Sequence, residues 1–396
     1  MYKYIQVETK YRDIALGGYA GIYLEKRRIW RLETKVVFHG SDVEKACSYY
    51  GVKKEDVVNF GANVNPLGIS KKVTEELAKN LNVLSSYPDR EYTALRETIA
   101  GYCGISPDMI IPGNGSSELI SLLIKAREPG KTLVLGPTYS EYSRELAFSG
   151  SSWDTHHLRE ENDFVLDRKE LFAQLETGYD FLILCNPNNP TSSAVTSGEM
   201  RKILAFCKAH DIFVMIDETY VEFAPEIREI TAIPLTKEFD NLMVLRGVSK
   251  FYAAPGLRLG YGITGNAKFL KKMKEQQIPW SLNSVGAFAG ERMFKDTEYF
   301  QKTRELILSE RDRMYREISG MGAYKAYPPS ANFILVKLLK EGLTSAEVFD
   351  ACMRKGMMIR DCSSFQSLEG EFIRFCIMLP EDNTRLLEVL REISEC

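Results

Sequence analysis

Histidine is scarce in this chain, four among 396 residues, and the eight cysteines are scattered with no Cys-x-x-Cys pair. That combination supplies neither a zinc-type ligand cluster nor a disulfide framework, so no metal site is expected. Several thiols instead fall in apolar runs such as Phe181-Leu-Ile-Leu-Cys185, as buried, reduced cysteines do. No apolar stretch reaches the length of a bilayer span, and the N-terminus shows no signal-type apolar region. An excess of one charge is missing too: 51 basic against 54 acidic residues leave a net charge of -3. That balance argues against nucleic acid or a membrane surface as partner. Internal repeats and low-complexity tracts are also absent from the sequence. A cytoplasmic protein is expected.

What is present is an ordinary globular composition, 44% hydrophobic and 27% charged, in a chain long enough for two domains. Residues 1–37 mix tyrosines with the basic run Lys26-Arg27-Arg28 and show no period; they read as an N-terminal extension. A helix is expected from Asp42 to Tyr50. Between about 113 and 265, apolar strand candidates (Thr132–Leu135, Phe181–Leu184, Phe213–Ile216, Asn241–Leu245) alternate with stretches long enough for crossover helices. That alternation predicts a mostly parallel sheet covered by helices, an α/β fold. His156 and His157 read as part of a polar loop. Beyond about 286, long helices and the strand candidates Asn332–Val336 and Phe372–Phe375 suggest a smaller α+β unit. The expected division is a large domain of residues 85–285 and a small domain of 38–84 with 286–396.

The unusual residues cluster where the predicted strands end, which is where ligands bind in such sheets. Lys250 follows the apolar run that begins at Val244 and stands eight residues before Arg258. Burying an ammonium costs several kcal/mol, lowers its pKa and frees an amine that attacks carbonyls. Arg258 offers a planar fork for a phosphate. Gly113-Asn-Gly-Ser116-Ser117-Glu118 is a glycine turn opening an apolar helix, an anion site or an ordinary helix cap. Tyr139, after another strand, can stack on a planar ring or simply fill the core. The dense turn Asn186-Pro-Asn-Asn189-Pro-Thr191 puts amides at the sheet edge, with Asn189 placed to donate to a phenolic oxygen. Asp217 and Tyr220 end a further strand. A carboxylate there needs a cation, such as a protonated pyridine nitrogen, unless it merely caps a helix.

The ordered series of anion turn, aromatic, Asn-Pro turn, Asp-x-x-Tyr and Ser249-Lys250 with Arg258 resembles the fold-type I pyridoxal-phosphate enzymes of the class I/II aminotransferase superfamily. The resemblance runs from about His39 to the C-terminus. It implies an aspartate-aminotransferase-like fold, pyridoxal 5'-phosphate bound covalently through Lys250, and a homodimer with shared active sites. Asn63-Val-Asn65-Pro-Leu-Gly68, Phe251-Tyr-Ala-Ala-Pro-Gly256, His39-Gly40, Trp280-Ser-Leu-Asn283 and Ile359–Phe365 are similar to the L-threonine-O-3-phosphate decarboxylase branch. The histidinol-phosphate aminotransferase branch is the alternative, acting on a small phosphorylated amino compound. The decarboxylase resemblance implies a phospho-amino acid substrate held by Arg374 at its carboxylate. It places Arg360, His39 and Tyr87 at the phosphate, Tyr87 coming from the neighbouring subunit, with Asn65 as a further substrate ligand. Three positions depart from the family pattern: Gly247 stands where a phosphate-binding Ser or Thr is usual, and Ser192 and Ser41 stand where glycines are usual. A non-catalytic regulator of the same fold is the competing class. It calls for a DNA-binding domain that residues 1–37 are too short to supply.

Overall fold

The computed structural model describes residues 38–395, so the extension at 1–37 lies outside the described residues. The first strand, β1 (Val58–Asn59), is short. It is followed by β2 (Ile110–Gly113), β3 (Lys131–Gly136), β4 (Ser152–His157), β5 (Phe181–Cys185), β6 (Phe213–Asp217), β7 (Leu242–Gly247) and β8 (Gly260–Ile263). These last seven form one sheet in the order β2-β8-β7-β6-β5-β3-β4. The run β7-β6-β5-β3-β4 is parallel, and β8 lies antiparallel between β2 and β7. Every residue of β5, β6 and β7 is buried. Helices cover both faces of such strands, so each can be apolar throughout, and each buried aliphatic side chain contributes about 1.5–3 kcal/mol.

The four strand candidates of the central sheet all form, each extended by a residue or more. His156 and His157 correct the polar-loop expectation, because they end β4. β4 is the sheet's edge and is largely exposed, so its side chains need not be apolar. His156 Nδ1 lies 2.7 Å from Gln174 Oε1, which satisfies the ring.

A second sheet, in the order β12-β13-β10-β9, is built from β9 (Tyr324–Ala326), β10 (Phe333–Leu338), β12 (Arg360–Asp361) and β13 (Phe372–Cys376). It carries the long helix Thr297–Ser319 and the C-terminal helix Pro380–Glu395. The helix expected at 42–50 runs from Val43 to Tyr50 and ends at Gly51, whose φ of 66° only glycine adopts freely. β11 (Met357–Met358) pairs in parallel with β1, joining the two ends of the described chain. The described cysteines are all unpaired thiols. Among the described residues, no helix is long and apolar enough to cross a membrane.

Candidate active site

The carboxyl ends of β3, β5, β6 and β7 open into a cavity of about 620 Å³. The second sheet closes it from the other side with Arg360 and Arg374. Lys250 reaches this cavity just beyond β7 and donates from Nζ to the Ala62 carbonyl at 2.6 Å. The amine is part-buried at the cavity wall. Burial first, then the charges of Arg374 and Arg258, lower its pKa from 10.5 to about 8. The amine therefore gives up its proton near neutral pH far more readily than an ordinary lysine does.

Asp217 faces Lys250 from the end of β6. Its Oδ1 accepts from Thr219 N at 3.0 Å and from Thr219 Oγ1 at 2.5 Å, and its Oδ2 accepts from Tyr142 Oη at 2.7 Å. Burial raises its pKa, while Thr219, Tyr142 and Lys250 pull it back down. Tyr139 stands edge-on to Tyr142, the ring centroids 5.7 Å apart. Tyr220 packs against Phe333 at 5.0 Å, and its hydroxyl accepts from Asn63 Nδ2 at 3.4 Å.

The Asn-Pro turn is held by its own amides. Asn186 binds the backbone of Val195 and Ile230, and Asn188 donates to Pro137 O and Thr191 Oγ1. Asn189 Oδ1 accepts from Arg374 Nη1, which leaves its Nδ2 toward the cavity it lines. Ser192 has φ 61°, the conformation that makes glycine usual at this point. Its hydroxyl accepts from Ala331 N at 2.8 Å and ties the turn to the segment before β10.

Ser116 and Ser117 open the helix Gly115–Arg127 beside Arg258. Gly115 has φ 81°, and a Cβ there would run into the Arg258 guanidinium; a Cβ at Gly260 would lie 2.5 Å from Ser116 N. The backbone is pressed around an anion-sized cradle of N–H groups, hydroxyls and one arginine. Ser249 borders the same cavity.

On the opposite wall, Arg374 Nη2 donates to Gly61 O at 2.7 Å, while its Nε is buried without a partner. Arg360 donates to Phe38 O and to Ser364 Oγ, the latter at 2.6 Å, and lies over the Phe365 ring. His39 is at the cavity mouth. Its Nδ1 accepts from Ser41 N at 3.3 Å and meets Ser41 Oγ at 2.7 Å, so the neutral ring carries its proton on Nε2. Burial and Arg360 lower its pKa.

One residue expected at this wall is not brought to it. Asn65 corrects the sequence expectation, because its Nδ2 is committed to Phe251 O, Tyr299 Oη and Thr303 Oγ1 and its Oδ1 to Leu67 N. Asn63 lines the cavity in its place, with Oδ1 buried and unpaired. Tyr87 is 80% exposed and rests on Trp280, away from its own chain's cavity. Asn63, Tyr142 and Thr219 were missed in the sequence. Tyr142 alone left a signal, standing one helical turn after Tyr139.

Pyridoxal 5'-phosphate fits these residues. The cradle suits its phosphate, Asp217 its ring nitrogen, Asn189 and Tyr220 its phenolic oxygen, and the amine of Lys250 its aldehyde. The comparisons with known proteins agree. A protein of Caldanaerobacter subterraneus subsp. tengcongensis, provisionally assigned as threonine-phosphate decarboxylase, is 38% identical over 84% of this chain and 89% of its own length. The threonine-phosphate decarboxylase of Salmonella typhimurium is 32% identical over 90% of this chain and 96% of its own. The crystal structure of the histidinol-phosphate aminotransferase from Clostridium acetobutylicum superposes with a TM-score of 0.79 at 30% identity, covering 85% of this chain and 98% of that one. The model of the family described as aminotransferase class I and II matches residues 55–390. The chain belongs to the class I and II aminotransferases, enzymes that work with pyridoxal phosphate.

Proposed function

We propose that the enzyme decarboxylates an O-phospho-L-amino acid, threonine phosphate or serine phosphate, to an amino-alcohol phosphate. One observation carries the reading. Arg360 and Arg374 are direct cross-strand partners on β12 and β13, and both line the cavity that holds Lys250. Like charges placed opposite one another on a sheet destabilise it unless anions meet them. A substrate bearing a carboxylate and a phosphate a few bonds apart supplies both. Arg374 takes the carboxylate and Arg360 the phosphate, with His39 donating through Nε2. When bound, pyridoxal phosphate supplies a carbonyl that amines capture and a ring that accepts the electron pair of a broken Cα bond. The amine of Lys250 would hold the cofactor's aldehyde and yield that place to the substrate amine. Asp217 holds a proton on the ring nitrogen. The two arginines would fix both ends of the substrate and so orient the bonds at its Cα. The names of the two decarboxylase relatives support this substrate class.

The protein acts as a cytoplasmic homodimer in this reading, and the exposure of Tyr87 supports a role for it in the neighbouring subunit's site. Leu81, Leu84, Ile278 and Trp280 are exposed along with it, an apolar set suited to cover by a second copy. The test is carbon dioxide release from O-phospho-L-threonine and O-phospho-L-serine by the purified holoenzyme. The likeness to the histidinol-phosphate aminotransferase structure favours a second reading, amino transfer. Oxoglutarate-dependent transfer without carbon dioxide would decide for it.

A further inference from the structure

An ionised carboxylate has about four lone-pair sites, two on each oxygen. On Asp217, Thr219 fills both sites of Oδ1 through its backbone N–H and its hydroxyl, and Tyr142 fills one site of Oδ2. Asp217 borders the cavity, so the remaining site on Oδ2 is the one left for a cofactor ring nitrogen. Tyr142 is fully buried beside Tyr139 at the edge of the cavity.

We propose that Tyr142 is a positioning residue that governs where the proton between Asp217 and the pyridine nitrogen resides, by donating to the same carboxylate oxygen that the ring nitrogen uses. The hydroxyl withdraws charge from Oδ2 and makes it a poorer base, so the proton stays on the ring. Without that donor the buried carboxylate takes the proton more readily, and the ring loses its charge and its pull on electrons. The inference rests on the cofactor and is independent of whether the substrate is decarboxylated or transaminated.

Tyr142→Phe removes one oxygen and keeps the ring packing. The readouts are the dissociation constant of pyridoxal phosphate and the ¹⁵N resonance of its ring nitrogen in the bound state, with the melting temperature of the cofactor-free protein as the control for folding. The expected result is about tenfold weaker cofactor binding, with the nitrogen resonance moved toward the unprotonated position. A variant with weaker binding but a wild-type nitrogen resonance would show a merely structural tyrosine and overturn the proposal, as would one unchanged in both. Failure of the wild-type protein itself to bind the cofactor would overturn the cofactor assignment and this proposal together.

Discussion

Lys250 carries the clearest consequence at the scale of single residues. Between about pH 8 and 10.5 the unfolded chain keeps a proton on this lysine that the folded, cofactor-free chain has released. The unfolded state binds more protons across that window, so stability rises with pH through it, and the full penalty is felt below about pH 8. Lys250→Met should therefore stabilise the cofactor-free protein by on the order of 3 kcal/mol at pH 7. Urea denaturation repeated at pH 10 should show most of that advantage gone. Gly247 invites the opposite kind of change. A Cβ there meets Leu259 O at 3.4 Å, ordinary contact, so a serine fits without moving the backbone. Gly247→Ser returns the hydroxyl usual in the family, and cofactor release should slow roughly three- to tenfold, measured by dilution of the holoenzyme. Lys250, Asp217, Asn189 and Arg258 were legible in the sequence because charged or amide groups at the ends of apolar runs have few bland explanations. Asn65 was misread for a local reason: Asn63 adopts φ 57°, which turns the backbone and sends Asn63 to the cavity while Asn65 goes to the core.

At the scale of elements, the strands that could be read were the ones buried on both faces. β4 was hidden by its polarity as an edge strand. β2 and β8 were hidden by Pro112 and by Gly260 and Gly262, residues that strand propensity disfavours but that an edge and a close backbone approach accommodate. The turn at Gly115 is the element where shape and chemistry coincide most tightly. Gly115→Ala places a methyl group against the Arg258 guanidinium at a φ that alanine resists. Cofactor affinity should fall at least about tenfold, the loss of a charge-assisted bond, while the seven-stranded sheet keeps its circular dichroism signal. An unchanged dissociation constant would remove Arg258 and this cradle from the phosphate site.

The whole molecule is the scale at which the proposed sharing of sites between two copies is tested. Tyr87 stands outside its own cavity, and its test is a mixture of two variants. In the homodimer proposed above, Lys250→Ala and Tyr87→Phe variants, each expected to be weak in carbon dioxide release, are unfolded together and refolded one to one. Half the dimers are then hybrids with one intact site, so activity should return to roughly a quarter of wild type if sites are shared across a two-fold interface. No recovery beyond the sum of the parents would place Tyr87 outside catalysis. The pairing of β1 with β11 has a different kind of consequence, one concerning the order of assembly. Val58 meets Met357, Gly61 accepts from Arg374, and Asn63 O accepts from Asn332. A ribosome making this protein therefore releases the first wall of the cavity some 300 residues before the wall that locks it. The seven-stranded sheet can complete itself once residue 263 has emerged, but the site cannot exist until β13 has followed it. Loss of the final 25 residues would remove Arg374 and β13, leaving a chain with its central sheet, its lysine and no enclosed place in which to use it.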